Sequence, residues 1–366
     1  VSQKKLQNLF GKTGSAYDVA VATNYEGAPT FVRDDYEAVV RVLTTGTFEP
    51  TFYASARELS QQAINLFAKM TRDDPQFLAQ AILYARNKGL MRTAPITALV
   101  VLSTGTEQAK ELFRRLFPHV IQTPGDLQDF VSLIRHSKLR GNGRLVNKAV
   151  GRWLATISEY HVIKYGSEKQ DLSLRDMYRI ARPKLWGKAN QIAQYAVKGT
   201  LDVGTDTISA PQLLGYELFK AGAHAPQPDV ESLARLVEQF RLPWEVVTAQ
   251  MPSTEATWRA MYKQMPYMAL LRNLNNLAKH GVLSNREDLD RVCADVMDPE
   301  RVRKSKQFPF AFWNALKTLG PEAPLKLRQA LEWAFELSFA NMPELEGRVL
   351  ISNDTSTSMN DPVSAK

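Results

Sequence analysis

From about residue 55 to residue 345 one pattern recurs: a stretch with apolar side chains at helical spacing, then a short break carrying glycine, proline or aspartate. Leu59, Ala63, Leu66, Phe67 and Met70 fall on one face of a helix. Pro75 opens the next, with Phe77, Leu78, Ala81, Ile82 and Ala85 inward, and Lys88-Gly89 closes it. Similar segments follow around 94–103, 106–117, 126–136, 143–159, 173–182, 186–198, 209–221, 229–240, 254–264, 266–280, 286–297, 307–319 and 323–340. The breaks are of the kind Thr123-Pro124-Gly125-Asp126 and Gly320-Pro321-Glu322. Ser173 and Asp229 are expected N-caps, and Ser253 or Thr254 caps the helix after it. Strand-like alternation is missing between 55 and 345, while residues 1–50 are mixed. This predicts an all-α fold of antiparallel helix pairs, either stacked as a HEAT-like solenoid or gathered in an irregular bundle.

Bulk properties narrow the setting. At 366 residues there is chain for two domains or one extended array. No apolar run approaches the roughly 20 residues that span a bilayer, so no membrane is expected. The first residues, Val1-Ser2-Gln3-Lys4-Lys5-Leu6, lack the apolar core of a signal peptide. Cys293 is the single cysteine, and it falls among Leu289, Val292 and Val296 as a core position. A cytoplasmic location is the expectation.

The net charge of +8 is clustered. No Asp or Glu occurs from Phe130 to Ser158, a window that holds Arg135, His136, Lys138, Arg140, Arg144, Lys148 and Arg152. If the chain is helical from Gly143, Arg144, Lys148 and Arg152 line one face, with Arg140 at or before its start. Like charges at this spacing repel, and a phosphate backbone would relieve them. A second acid-free window, Met177–Leu201, contains Arg179, Arg182, Lys184 and Lys188, with Trp186 and Tyr178 among them. Arg175, Arg179 and Arg182 share i, i+4, i+7 spacing, and rings beside cations suit single-stranded nucleic acid. A third cluster, Arg301, Arg303, Lys304 and Lys306, precedes Phe308, Phe310, Phe312 and Trp313. Each cluster has a plain alternative as a solvated face, and Tyr178 and the 308–313 aromatics read better as core.

The C-terminal stretch differs. The apolar run Val349-Leu350-Ile351 leads into Asp354-Thr355-Ser356-Thr357-Ser358. A buried strand ending in this loop would offer one carboxylate and two hydroxyls, Asp354, Ser356 and Ser358, to a hard divalent cation.

Two segments carry a family resemblance. Trp258 through Leu274, WRAMYKQMPYMALLRNL, continued by Asn275–Leu283, is similar to the signature segment of the TROVE domain of the Ro autoantigen family. Gly141–Trp153 together with Ser173–Lys184 resembles the basic helix-turn-helix region of that family. The resemblance covers roughly residues 25–345. It implies an N-terminal extension at 1–24, a helical-repeat domain at 25–345 closed into a ring, and the incomplete start of a von Willebrand factor A domain at 346–366. In that domain Asp354, Ser356 and Ser358 would belong to a magnesium site. The family's Thr and Asp ligands from later loops have no counterpart before Lys366.

The same resemblance implies an RNA-binding protein. Its basic ring would take single-stranded 3′ ends of misfolded or structured noncoding RNA, and its outer surface Y-like RNA. It would act in RNA quality control or as a ribonucleoprotein scaffold, with an exoribonuclease such as polynucleotide phosphorylase as partner. The residues expected to contact RNA are Lys138, Arg140, Arg144, Lys148, Arg152, Arg175, Arg179 and Arg182, with Lys184 and Lys188 at the rim. Arg272-Asn273 is balanced between RNA contact and core. The alternative is a helical scaffold for protein partners whose charge serves solubility. No enzyme is expected: His119, His136, His161, His224 and His280 are scattered, and no catalytic triad, phosphate-binding loop or paired zinc motif is visible.

Overall fold

A computed structural model describes residues 21–23, 29–31, 34–46, 56–136, 143–166, 172–201, 209–344 and 347. Lys138, Arg140, Asp354, Ser356 and Ser358 lie outside the described residues, as does the expected strand at 349–351. The chain divides into two compact units, Val1–Leu214 and Gly215–Lys366. The division falls inside the region 25–345 expected as a single array.

The first unit begins with a small antiparallel hairpin, β1 (Val21–Thr23) and β2 (Pro29–Phe31), in register Val21↔Phe31 and Thr23↔Pro29. Helices follow: α1 (Asp35–Thr45), α2 (Ala56–Asp73), α3 (Pro75–Asn87), α4 (Thr93–Leu102), α5 (Glu107–Val120) and α6 (Pro124–His136). Every residue from Ala94 to Leu102 is buried. A helix without a polar face belongs at a centre, and α4 packs against α1, α2, α3, α5 and α6. Phe113 and Phe117 of α5 meet Phe130 of α6, with ring centroids 5.1–6.0 Å apart.

One polar network ties these helix ends together. The Asp126 side chain is 2% exposed and accepts from Arg86 at 2.6 Å and Arg92 at 2.8 Å. It also accepts from the backbone N–H groups of Gln122 and Thr123. Arg86 donates in addition to the carbonyls of Val120 and Met91. A buried carboxylate is tolerated because its oxygens are so fully occupied.

The rest of this unit is α7 (Arg144–Leu154), α8 (Glu159–Tyr165), α9 (Leu174–Ala181) and α10 (Gly187–Lys198). Trp153 Nε1 donates to the Ile121 carbonyl at 2.7 Å, docking α7 on the end of α5. The buried Tyr178 hydroxyl donates to the Leu154 carbonyl, joining α9 to α7. Ser173 caps α9 as expected, in a reciprocal box with Asp176. The hydrogen bonds from the Ser173 hydroxyl and backbone hold the Asp176 carboxyl below its ordinary value. The buried Glu159 carboxylate accepts from the Gln212 and Leu213 N–H groups, at the first turn of α11 (Pro211–Ala223).

The second unit contains α12 (Val230–Phe240), α13 (Trp244–Thr248), α14 (Glu255–Tyr262), α15 (Tyr267–Lys279), α16 (Arg286–Met297), α17 (Pro299–Ser305), α18 (Pro309–Thr318) and α19 (Leu325–Ser338). Gly215 of α11 lies against the Phe240 ring so closely that a Cβ there would sit 2.0 Å from Cγ. Asp229 and Thr254 are the N-caps of α12 and α14. Ser253 instead accepts from Trp258 Nε1 and meets His280 Nε2, and the His280 ring stacks on Trp258. Asp288 of α16 accepts from Arg259 Nε and from the Tyr262 hydroxyl, both at 2.7 Å. Burial, with that carboxylate, pushes the Tyr262 hydroxyl well above its usual range. Cys293 is buried, which raises its thiol, as a core cysteine should be.

Three expectations about elements need correction. The segment 143–159 is not one helix: α7 stops at Leu154, Ile157 is buried in the turn, and Ser158 caps α8. The mixed residues before 50 contain α1, whose Asp34 cap and buried Val39 and Leu43 are too few to make a period visible. Helices α13 and α17, of 5 and 7 residues, are shorter than any periodic window.

Candidate nucleic-acid interface

The basic window places its cations on α7. Val146, Val150 and Leu154 are buried at every fourth residue, so Arg144, Lys148 and Arg152, also at every fourth residue, face solvent. None of the three has a carboxylate within 4.0 Å among the described residues. Gly143 supplies the N-cap without a side-chain hydrogen bond.

The three cations form a ridge between two grooves in the first unit. On one side a groove of about 530 Å³ is walled by Arg114, Phe117 and Pro118 of α5. On the other a groove of about 640 Å³ is walled by Ala181, Arg182, Pro183, Lys184 and Leu185. Arg144, Lys148 and Arg152 border both. The second groove is narrow at its floor because Gly151 brings α7 against the 181–183 strap. A Cβ at Gly151 would touch Pro183 Cβ at 3.4 Å and Ala181 Cβ at 3.8 Å.

Arg182 reaches this groove by leaving its helix. The spacing with Arg175 and Arg179 predicts a shared helical row, but α9 ends at Ala181 and Arg182 turns left-handed, φ 45° and ψ 55°. Pro183 ends the helix and disfavours the right-handed conformation for the residue before it. Arg182 Nε then donates back to the Arg179 carbonyl at 3.2 Å. Arg175 and Arg179 remain exposed on α9, bordering neither groove. Lys188 is tied down, 2.5 Å from the buried Glu159 carboxylate.

Arg114 was not among the expected contacts. Its neighbours Glu107 and Glu111 break any acid-free window, and Arg114 pairs with Glu111 at 2.8 Å. Only the packing of α5 beside α7 brings it to the groove.

The third basic cluster behaves differently. In the second unit Arg301 pairs with Asp295 and lies over the Tyr267 ring, 5.6 Å from its centroid. Arg303 and Lys304 both reach Glu300, at 3.0 Å and 3.8 Å. The aromatics that follow are mostly not core, contrary to expectation: Phe308 is 56%, Phe310 71% and Trp313 43% exposed, and Phe312 alone is buried. Pro309 starts α18 directly after Phe308, and a surface helix turns only one of its faces inward.

Within the signature segment, Asn273 is buried, donates to the Ala269 carbonyl and accepts from Asn276. Arg272 is exposed and borders a shallow groove with Phe310. Much of the segment is thus structural: Trp258, Arg259, Tyr262 and Tyr267 all bond neighbouring elements. Among the described residues no group of three His, Cys, Asp or Glu side chains is placed to hold a metal ion. No helix there is long and apolar enough to cross a membrane.

Comparison with known proteins gives a consistent result. The TROVE domain matches residues 39–210 and 241–321. RNA-binding protein RO60 of Deinococcus radiodurans is 27% identical over 359 residues, 92% of this chain and 65% of that protein. Telomerase protein component 1 of Mus musculus is 24% identical over 331 residues, 76% of this chain and 12% of that protein. The crystal structure of the Deinococcus radiodurans RO (RSR) protein superposes with a TM-score of 0.67 at 23% identity, covering 85% of this chain and 65% of that one, so the folds are alike. The chain therefore spans about two thirds of the bacterial relative. With more than half of its residues matched by that domain, the chain belongs to the TROVE-domain family.

Proposed function

We propose that this protein binds noncoding RNA through the α7 ridge and the two grooves beside it. The observation that carries this reading is the ridge itself: Arg144, Lys148 and Arg152 have no carboxylate partner among the described residues, and Arg114, Arg182 and Lys184 border the same grooves. Such a surface takes phosphates and positions an RNA backbone with little base readout. Lys138 and Arg140 precede the ridge in sequence and would extend the contact.

The finer reading follows the family. Single-stranded 3′ ends of misfolded or structured RNA would pass into a basic ring, and Y-like RNA would lie on the outer surface. The role would be RNA quality control or ribonucleoprotein scaffolding in the cytoplasm, with an exoribonuclease such as polynucleotide phosphorylase as partner. A magnesium ion would be held by Asp354, Ser356 and Ser358, whose one carboxylate and two hydroxyl oxygens suit it once further ligands complete the site. What supports these steps is membership of the family and the sequence pattern at 349–358.

The test is the affinity for a hairpin RNA with a single-stranded 3′ tail against the same hairpin blunt-ended, across a salt series. Tighter binding of the tailed RNA, with a slope of about 0.7–0.9 per phosphate over several phosphates, is expected. Equal, weak binding of both overturns the reading.

A second reading has its own observation. The exposed Phe308, Phe310, Trp313 and Trp333 of the second unit favour a surface for protein partners. Equal, weak RNA binding together with specific capture of a protein through that surface would favour it.

A further inference from the structure

The strap between α9 and α10 has a feature that phosphate binding does not use. Along Arg182-Pro183-Lys184-Leu185-Trp186 exposure alternates: Arg182, Lys184 and Trp186 are exposed, while Pro183 and Leu185 are half-buried. Pro183 and Leu185 line the groove beside α7 and anchor the strap there. Arg182 and Lys184 border the same groove and, with Trp186, stand exposed to solvent.

Trp186 is 76% exposed, more than any other large apolar side chain among the described residues. It serves as N-cap residue of α10 yet makes no side-chain capping bond. Its ring has no aromatic or hydrogen-bonding partner among the described residues. The next residue, Gly187, has φ +54° and no atom within 4 Å of where a Cβ would stand, so nothing packs on the chain at that point. A tryptophan of this exposure contributes little to its own fold, since burying the ring would be worth far more than leaving it in water. No carboxylate occurs from residue 177 to 201, and Arg182 and Lys184 of the same strap are exposed beside the ring in sequence.

We propose that Trp186 is a stacking platform for one unpaired base of the bound RNA, with Arg182 and Lys184 holding the adjacent phosphates. The inference rests on the RNA-binding reading of the α7 ridge and adds to it the residue that contacts a base of the unpaired tail. Paired bases are stacked on each other and present no free face to the ring, whereas every unpaired base does. The α7 ridge supplies charge, and the strap distinguishes unpaired nucleotides from duplex.

The experiment uses the full chain and two RNA hairpins with tails of equal length and equal phosphate number. One tail carries bases and the other is abasic. Trp186→Ala is expected to weaken binding of the base-bearing tail about tenfold and leave the abasic tail unchanged. Trp186→Phe, which keeps a ring, should recover most of the loss. The triple variant Arg144→Glu, Lys148→Glu, Arg152→Glu should weaken both probes alike. If that triple variant binds as the parent does, the RNA reading of this face fails, and the stacking role with it. If the triple variant loses binding while Trp186→Ala treats the two tails equally, the phosphate face stands and the stacking role is overturned. A thermal melt of Trp186→Ala matching the parent shows that the fold is not the cause.

Discussion

The α7 ridge and the cluster Arg301–Lys306 look alike as sequence: three cations in one and four in the other, each in a short span with aromatics nearby. In the folded protein they are opposites. On α7 the cations point away from a buried face and meet no carboxylate. Around α17, Asp295 pairs with Arg301, and Glu300 with Arg303 and Lys304. A run of basic residues therefore measures formal charge, and only the fold decides how much of it remains available to a polyanion.

The largest effect that would sharpen this contrast is charge reversal of Arg144, Lys148 and Arg152. Their exposed positions predict an intact fold, an RNA affinity lower by at least about tenfold, and a salt slope reduced by about two to three. Retained affinity in a folded triple variant would break the comparison outright. Next, Arg301→Ala should lower stability by about 1 kcal/mol through loss of Asp295 and of the Tyr267 ring, read as a shifted urea midpoint. Its RNA affinity should not move, and a tenfold fall would show that the second cluster is as available as the first.

A third test uses pH. Asp176, at the cap beside the basic face, has a lowered carboxyl in the folded state, so its stabilising contribution is present above the usual carboxylate value and is lost as pH falls through the lowered one. The stability gap between the parent and Asp176→Asn should be constant from about pH 5 to 8 and shrink below about pH 4. A gap independent of pH would mean that the cap does not depend on the charge. The smallest effect is expected from Glu300→Gln. Arg303, by hydrogen bond and charge, holds the Glu300 carboxyl below its ordinary value, and removing the charge frees Arg303 and Lys304. Nonspecific RNA binding should rise about twofold in low salt, detectable by filter binding.

Much of the helical order was legible because it rests on local chemistry. Pro75 and Lys88-Gly89 bracket α3, and Ser173, Asp229 and Thr254 cap their helices by the same side-chain rule wherever they occur. The α7 row was legible too, since spacing by four needs only that the segment be helical. What escaped depended on contacts distant in sequence. Arg114 lies 30 residues before Arg144, Glu159 reaches 53 residues to Gln212, and Lys188 is drawn off by Glu159. The exit of Arg182 from its helix was written in Pro183, but the i+7 spacing concealed it. The exposure of Phe308, Phe310 and Trp313 was hidden because an aromatic run carries no mark of which face the tertiary fold leaves uncovered.

Gly151 has a consequence for how this surface can be changed. The distance between the basic ridge and the strap is gauged by a missing side chain: alanine would just fill the gap, and anything bulkier would act as a wedge between α7 and Pro183. Groove width can thus be changed without removing a charge. Substituting a single uncharged position would widen the groove, carrying Arg182 and Lys184 of the strap away from the α7 cations without changing the number of charges.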